Sequence, residues 1–345
     1  MPCANPPSPA AMAGKEISVL VSVLNWNSAK VTLKCVASLL AKPSVEGISV
    51  NIVVIDNGSA SDDWALLSKS LSAQPVRLLR QETNLGFAGG HNIAMRMAMA
   101  EDADFIWLVN SDAIVEPDCL DKLLELMAAR PMCGAASPVT VAVDDKDKVD
   151  FCGAYHDWKR LESARVSSIE DARRLEREQP EAMWVSGTVV LYRIAALRQI
   201  GVLDEEMFAY YEDDDIGARL SQAGWLSLMA FNARASHFRY QSDEHDRPPY
   251  FFYLMTRNAI LFWTKNTPAA YRRRLKLRLL DRSLFQANIL MSKSQPERAR
   301  ACMLGLIDGM RGKGGPPRLE RRVPPYLELL RRLLLLQHAR HLLSK

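Results

Sequence analysis

Val50-Asn51-Ile52-Val53-Val54-Ile55-Asp56-Asn57-Gly58-Ser59 decides the fold. Five of its first six residues are β-branched and apolar, which suits a strand buried on both faces. The run then stops at four turn-forming residues. Three other segments share the design: Ile17 to Leu24, Val76 to Leu79 and Phe105 to Val109. Between them, Ser28 to Leu40 carries helical spacing through Val31, Cys35, Val36 and Leu39, and a Met-rich helix is predicted from about His91 to Ala100. Strand and helix alternate, so the expected class is α/β, a mostly parallel sheet with helices on both faces. Ligands in such sheets bind beyond the carboxyl ends of the strands. Polar clusters at 56–59, 84–92 and 110–112 all follow strands and should share one crevice.

Further along, Asp144 to Gln179 is strongly charged and reads as an exposed excursion with a hairpin near Phe151 to Tyr155. Glu181 to Tyr192 returns to strand-like residues around Ser186-Gly187. Helices are expected at Ile194 to Ile200 and Asp215 to Ala223, each closed by a glycine, with a strand at Leu226 to Phe231. From Tyr250 the chain reads as helical and basic, ending in a helix over Tyr326 to Leu343. Three regions follow: a Pro/Ala-rich disordered segment at 1–14, with Met12 an alternative start; a catalytic domain at 15–265; and a basic helical region at 266–345 with a Gly/Pro linker near 312–325.

The 345 residues, 48% hydrophobic and 24% charged, suit a soluble globular protein. The net charge of +4 is unevenly spread. Ala269 to Lys345 holds about 18 basic and 5 acidic residues, roughly +13, which leaves the remainder near −9. The six cysteines contain no Cys-x-x-Cys pair, so free thiols in a reducing compartment are expected, not a disulfide framework or zinc site. No run of about 18 apolar residues is present, and Met1 to Gly14 lacks the pattern of a signal peptide. A cytoplasmic location is expected.

The chemistry concentrates in Tyr210-Tyr211-Glu212-Asp213-Asp214-Asp215-Ile216, with Arg219 one turn on. Carboxylates this close raise one another's pKa, which brings one toward the range of a general base. A helix start would also favour acidic residues here. Asp56, after a buried strand, can accept a hydrogen bond from a base or ribose, or simply cap a turn. Asn84 to Asn92 has three glycines without the spacing of a dinucleotide or Walker loop, and reads equally as a phosphate approach or a loop before a helix. Asn110-Ser111-Asp112 offers oxygen ligands to a hard cation, or forms an Asx-turn. His237 lies where it can return toward Asp112, or serve structurally.

Taken together these segments resemble the family 2 inverting glycosyltransferases of the GT-A fold, in particular the bacterial rhamnosyltransferase and galactofuranosyltransferase branch. The resemblance rests on Val21 to Asn27, Val53 to Ser59, Asn84-Leu85-Gly86-Phe87-Ala88-Gly89-Gly90-His91-Asn92, and Leu108 to Asp112. It continues through Ser186-Gly187, Gly201-Val202-Leu203-Asp204-Glu205, Glu212 to Ile216, His237 and Arg257-Asn258, in the family's order from about Ile17 to Lys265. It implies a catalytic base at Asp213, flanked and positioned by Glu212 and Asp215. The nucleotide-sugar would meet Asn25, Asp56, Asn57, Ser59, Asn84, Gly86, Phe87, Gly89, Gly90, Asn92 and Asn110, with Arg257 at the diphosphate. Trp184, Ser186 and Gly187 would line the acceptor or sugar pocket. Asp112 and His237 would hold a divalent metal, Mg2+ or Mn2+, although Ser111 stands where this branch often has Pro or part of an Asp-x-Asp pair.

The implied activity is inverting transfer of a hexose or deoxyhexose, rhamnose first, from a dTDP- or UDP-sugar to a saccharide or lipid-linked saccharide acceptor. A non-catalytic nucleotide-sugar or glycan binder on the same fold is the alternative. A glycosidase leaves Asp56 and the Gly-rich segment unexplained, and a nucleotidyltransferase calls for a basic Gly-rich loop that Asn25 to Lys30 lacks. Tyr271 to Leu280 and Leu329 to Leu336 mix arginine with leucine. That pattern suits peripheral contact with an anionic membrane surface at the inner face, or a packed helical subdomain. It lacks the aromatic platforms of a nucleic-acid binder, so no nucleic-acid partner is expected.

Overall fold

The computed structural model describes residues 16–41, 46–238 and 247–343. The segment at 1–14 lies outside them. The described residues divide into two compact units. The first falls within Met1–Asp157, Glu162–Asp204 and Asp213–Arg239; the second within Trp158–Leu161, Glu205–Glu212 and Tyr240–Lys345. The division therefore falls near 240, earlier than the expected 265, because the helix after it packs with the C-terminal helices.

The first unit opens with the expected alternation: β1 (Ile17–Asn25), α1 (Ala29–Leu40), β2 (Ile48–Asn57), α2 (Ser61–Leu71), β3 (Val76–Gln81), α3 (Gly86–Ala100) and β4 (Phe105–Asn110). It continues through β5 (Ala113–Val115), α4 (Cys119–Ala129), β6 (Cys133–Ala142), β7 (Val149–Phe151), β8 (Ala154–Asp157), β9 (Glu162–Arg165) and α5 (Ile169–Glu178). The remaining elements are β10 (Met183–Trp184), β11 (Val189–Arg193), α6 (Ile194–Ile200), α7 (Glu212–Gln222) and β12 (Leu226–His237). The main sheet runs β3-β2-β1-β4-β11-β6-β12-β5, with β7 beside β6. Its first four strands are parallel. Beyond β4 the pairing is mixed, since β11 runs antiparallel to β4 and β6 while β12 runs parallel to β6.

Both faces of the sheet are buried. Val19, Val21 and Val23 of β1 pack with α1, α2 and α4 residues, whereas Leu20 joins Ala94 and Met95 of α3 on the other face. The period of two along the strand assigns each residue its side.

Several boundaries differ from expectation. α3 starts at Gly86, so the glycine-rich segment is its first turn; the Asn84 Oδ1 accepts the Gly86 N–H at 2.7 Å and ends the loop early. No hairpin joins β7 and β8: β7 pairs with β6, and β8 pairs with β9 and β10 in a separate three-stranded sheet. α7 starts at Glu212, which brings Asp213 and Asp214 into its first turn. β12 extends to His237 because β5 gives its end a partner.

The second unit contains α8 (Pro249–Asn266), α9 (Leu275–Ser292), α10 (Pro296–Met310) and α11 (Pro325–Leu343). Arg257 and Asn258 of α8 are fully buried. Arg257 donates to the carbonyls of Met207, Glu206 and Gly315, and Asn258 Nδ2 to those of Met207, Ala209 and Tyr210. This cage holds Phe208, Tyr210 and Tyr211 in left-handed conformations with φ of 62°, 70° and 71°, which bulky residues adopt only when their surroundings impose it.

The turn after β2 depends on one glycine. Gly58 has φ of +75°, and a Cβ there would lie 2.6 Å from the Thr83 carbonyl carbon. Gly58→Ala is expected to lose about 1–3 kcal/mol in denaturant unfolding; unchanged stability would contradict this account of the turn.

Candidate active site

The parallel strands deliver polar side chains to one edge. In register, Asn25 of β1 pairs with Asp56 of β2, and Leu24 with Asn110 of β4. The Asn25 amide is the hub: Nδ2 donates to Asp56 at 2.9 Å, Ser59 at 3.1 Å and Asp63 at 2.8 Å, while its Oδ1 accepts from Thr32 at 2.7 Å. Asn57 Oδ1 accepts the Leu85 N–H and its Nδ2 donates to Asn84 and to the Gly86 carbonyl, which ties the β2 turn to the start of α3. Gly89 and Gly90 are buried in α3, where Gly90 lies against Leu24. His91 is fully buried and bonded to Ser22; burial pulls its pKa down to about 3, so it is neutral.

Pairing in the second half of the sheet adds the reactive groups. The Asn110 N–H donates to the Thr188 carbonyl at 2.8 Å, which lays Ser186-Gly187-Thr188 beside the end of β4. The Gly187 N–H donates to Asp213 Oδ2 at 3.2 Å, and the Asp214 N–H to Asp213 Oδ1 at 3.0 Å. Phe87 lies against Gly187 on the same side. Asp213 keeps partial contact with solvent. Enclosure by protein raises its pKa, and the neighbouring Asp214 carboxylate raises it further. The two N–H donors and Arg165 pull back only in part, leaving it at about 7.

His237 reaches Asp112 because β12 and β5 pair antiparallel and the Phe238 N–H closes on the Asp112 carbonyl at 2.8 Å. Its Nε2 lies 3.4 Å from Asp112 Oδ1, and its Nδ1 lies 3.0 Å from Asp150. Burial lowers the imidazole pKa, but the hydrogen bonds and charges of Asp112 and Asp150 outweigh it and hold it at about 9, so a cation bound at Nε2 would have to displace that proton. Among the described residues no three His, Cys, Asp or Glu side chains converge on one point. Asp112 and His237 nevertheless present one oxygen and one nitrogen side by side, with Asp150 fixing the ring from behind. That donor pair fits Mg2+ or Mn2+ held chiefly by phosphate oxygens and water. The buried Asn110 Oδ1, which has no hydrogen-bond partner, stands next to it in sequence.

Several of the residues expected at the ligand also have partners inside the protein. Asp56 is fully buried, and its carboxylate already accepts from Asn25 and the Ser59 N–H with Arg80 at 3.5 Å, so it organises the turn. Asn92 clamps the Leu203 backbone, donating at 2.9 Å and accepting at 3.0 Å. Asp215 is fully buried against Arg219 at 2.7 Å, and Arg219 in turn binds the carbonyls of Ile200 and Val202. Trp184 packs in the core against Gly217, and Ser186 bonds Thr188. Arg257 is fully buried and donates to the carbonyls of Glu206, Met207 and Gly315. Glu212 is buried at the head of α7.

Sequence reasoning missed the support beneath Asp213. Asp214 accepts from His156 at 3.0 Å and from Ser163, and the His156 ring stacks on Trp184 with centroids 5.8 Å apart. These residues come from β8, β9 and β10, and no local motif connects them to α7. Asp150 was missed for the same reason: it lies 87 residues from His237.

The raised pKa of Asp213 has a stability consequence. An unfolded aspartate titrates near about 4, so between there and about 7 the folded chain holds the extra proton. Stability therefore falls as pH rises across that window, and the loss is complete above it. Asp213→Asn should melt higher than the parent at pH 8, with the difference vanishing toward pH 4. Equal melting temperatures at both pH values would remove the raised pKa from the account.

The family model described as "Glycosyltransferase like family 2" matches residues 16–274. An N-acetylglucosaminyl-diphospho-decaprenol L-rhamnosyltransferase of Mycobacterium tuberculosis is 29% identical over 280 residues, covering 75% of this chain and 89% of that protein. The galactofuranosyltransferase GlfT1 of the same organism is 26% identical over 179 residues, 50% of this chain and 56% of its own length. Staphylococcus aureus TarS 1–349 with UDP-GlcNAc shares the fold at a TM-score of 0.58 and 16% identity, covering 93% of this chain and 89% of its own. The Pyrobaculum calidifontis mannosyltransferase PcManGT, solved with GDP-Man and Mn2+, does so at 0.55 and 13%, covering 91% of each chain. The chain belongs to glycosyltransferase family 2, with the GT-A fold.

Proposed function

We propose that this chain is an inverting, metal-assisted glycosyltransferase. It moves a sugar, rhamnose first, from a dTDP- or UDP-sugar to a saccharide or lipid-linked saccharide acceptor in bacterial cell-surface polysaccharide synthesis. The observation that carries the reading is Asp213, a carboxyl group with a pKa of about 7, fixed by two backbone N–H groups and still open to solvent.

The reaction is a single displacement. The acceptor hydroxyl oxygen attacks the anomeric carbon, its proton passes to Asp213, and the bond to the diphosphate breaks with its electron pair leaving on the nucleoside diphosphate. A pKa near the working pH leaves enough Asp213 ionised to accept that proton. Gly187 and Asp214 hold the carboxylate without rotation, so its orientation costs nothing at the moment of transfer. Asp112 and His237 are the residues that would hold a divalent ion. When bound, the ion neutralises charge on the departing diphosphate. The nucleotide would lie along the turn at Asn57 and Ser59 and the first turn of α3. Support for rhamnose comes from the similarity to the mycobacterial rhamnosyltransferase, and support for a divalent ion from the Mn2+ in the mannosyltransferase structure.

Asp213→Asn is expected to lower kcat at least about a hundredfold while leaving donor affinity, measured calorimetrically, near that of the parent. A variant that still turns over at the parental rate would remove Asp213 from the mechanism. Loss of donor binding together with turnover would make it a binding residue and return the non-catalytic alternative.

A further inference from the structure

The last helix buries polar side chains beside Leu327 and leaves a row of apolar ones outside. On most packed helices the residues at i, i+3, i+4 and i+7 facing the protein are apolar. On α11 the inward positions include Arg331 and His338, 5% and 4% exposed. Arg331 donates to Asn288 Oδ1 of α9 at 2.6 Å and pairs with Glu328. Asn288 Nδ2 donates to His338 Nδ1 at 2.9 Å, and His338 Nε2 meets Asp281 at 3.1 Å. The outward positions are Tyr326, Leu329, Leu333 and Leu336, at 65%, 59%, 68% and 76% exposure. They form one stripe over eleven residues, roughly 15 Å of helix.

The buried network makes this orientation specific. Turning α11 to bury the leucines would leave Arg331, Asn288 and His338 unsatisfied, a cost of several kcal/mol. The stripe therefore faces outward by construction, and an exposed contiguous apolar face of this kind marks an interaction surface. The Asp281–His338 and Asn288–Arg331 pairs make α9 and α11 antiparallel. The start of α9 thus lies toward the Leu336 end, where Leu277 is 62% exposed and Arg273, Arg274 and Lys276 are also exposed.

We propose that the α11 stripe with the basic start of α9 is a docking face for an anionic membrane surface, the leucines entering the interface and the arginines and lysine meeting lipid headgroups. Ala269 to Lys345 carries about +13, so a second copy would bring like charge against like charge. A nucleic acid would match the charge but offers no apolar phase for four exposed hydrophobic side chains. The face lies on the surface and not across a bilayer, since among the described residues no helix is long and apolar enough to span one. This inference stands apart from the transfer reaction and is tested without donor or acceptor.

The test is co-sedimentation of the full chain with phosphatidylcholine vesicles and with vesicles that also contain phosphatidylglycerol. The protein should sediment with the anionic vesicles and stay in solution with the neutral ones, and added salt should release it. A triple variant, Leu329→Gln with Leu333→Gln and Leu336→Gln, alters exposed positions only and should keep its far-ultraviolet circular dichroism. Its partition should fall at least about tenfold. Arg273→Glu with Lys276→Glu should weaken binding without touching the stripe. Equal recovery with both vesicle types, undiminished binding of a folded triple variant, or no binding by the parent would overturn the proposal. So would a parental dimer in sedimentation velocity that the triple variant dissolves.

Discussion

The antiparallel pairing of β11 with β4 is the constraint on which the site depends. β4 belongs to the regular parallel half of the sheet and ends at Asn110, just before Asp112. β11 returns 79 residues later, from Val189, and its closure on β4 sets Gly187 beside that end. Gly187 then presents its N–H to Asp213. A second closure, β12 onto β5, brings His237 to Asp112 by the same logic. Backbone hydrogen bonds, not side-chain recognition, thus assemble three groups scattered over more than a hundred residues. Asp213 is thus held on a hydrogen-bonded sheet, the arrangement a base needs if it is to act without reorganisation.

Much of the polar chemistry around the crevice serves that rigidity. Asn25, Asp56, Asn57 and Asn84 consume one another's hydrogen-bonding capacity. Asn92 does the same for Leu203, and Asp215 for Arg219. A buried polar group must be satisfied, so a residue whose capacity is taken up internally shapes a binding surface without presenting a free group to it. By contrast, Asp213 keeps an exposed edge, Asp112 and His237 face each other, and the buried Asn110 Oδ1 has no hydrogen-bond partner.

The sequence made the parallel half legible because its information is local. Runs such as Val53-Val54-Ile55 ending at Asp56 to Ser59 define a strand and its exit within ten residues, and the structure agrees to within two residues at β1 to β4. The nine motifs likewise pointed to the family that comparison shows. What stayed hidden is long-range. His156 and Asp214 are 58 residues apart, and nothing in either segment announces the other. Asp56, Asn92 and Arg257 sit in motifs that suggest ligand contact, and their burial and internal partners are not encoded in those motifs. The last helix shows the converse. Its alternation of arginine and leucine suits a membrane face or a packed helical subdomain, and only the Asn288–Arg331–His338 network reveals which side the leucines take.

The central claim is that this edge of the sheet binds a nucleotide-sugar through a metal held at Asp112. Thermal stability against a panel of dTDP- and UDP-sugars, with and without Mg2+ or Mn2+, tests it most directly. A ligand present at a hundred times its Kd stabilises the folded state by about 2.7 kcal/mol, a readily measured rise in Tm. The account predicts a rise with one donor class that requires the metal and disappears in Asp112→Ala. A rise that ignores the metal, or persists in that variant, would contradict it, as would the absence of any shift across the panel.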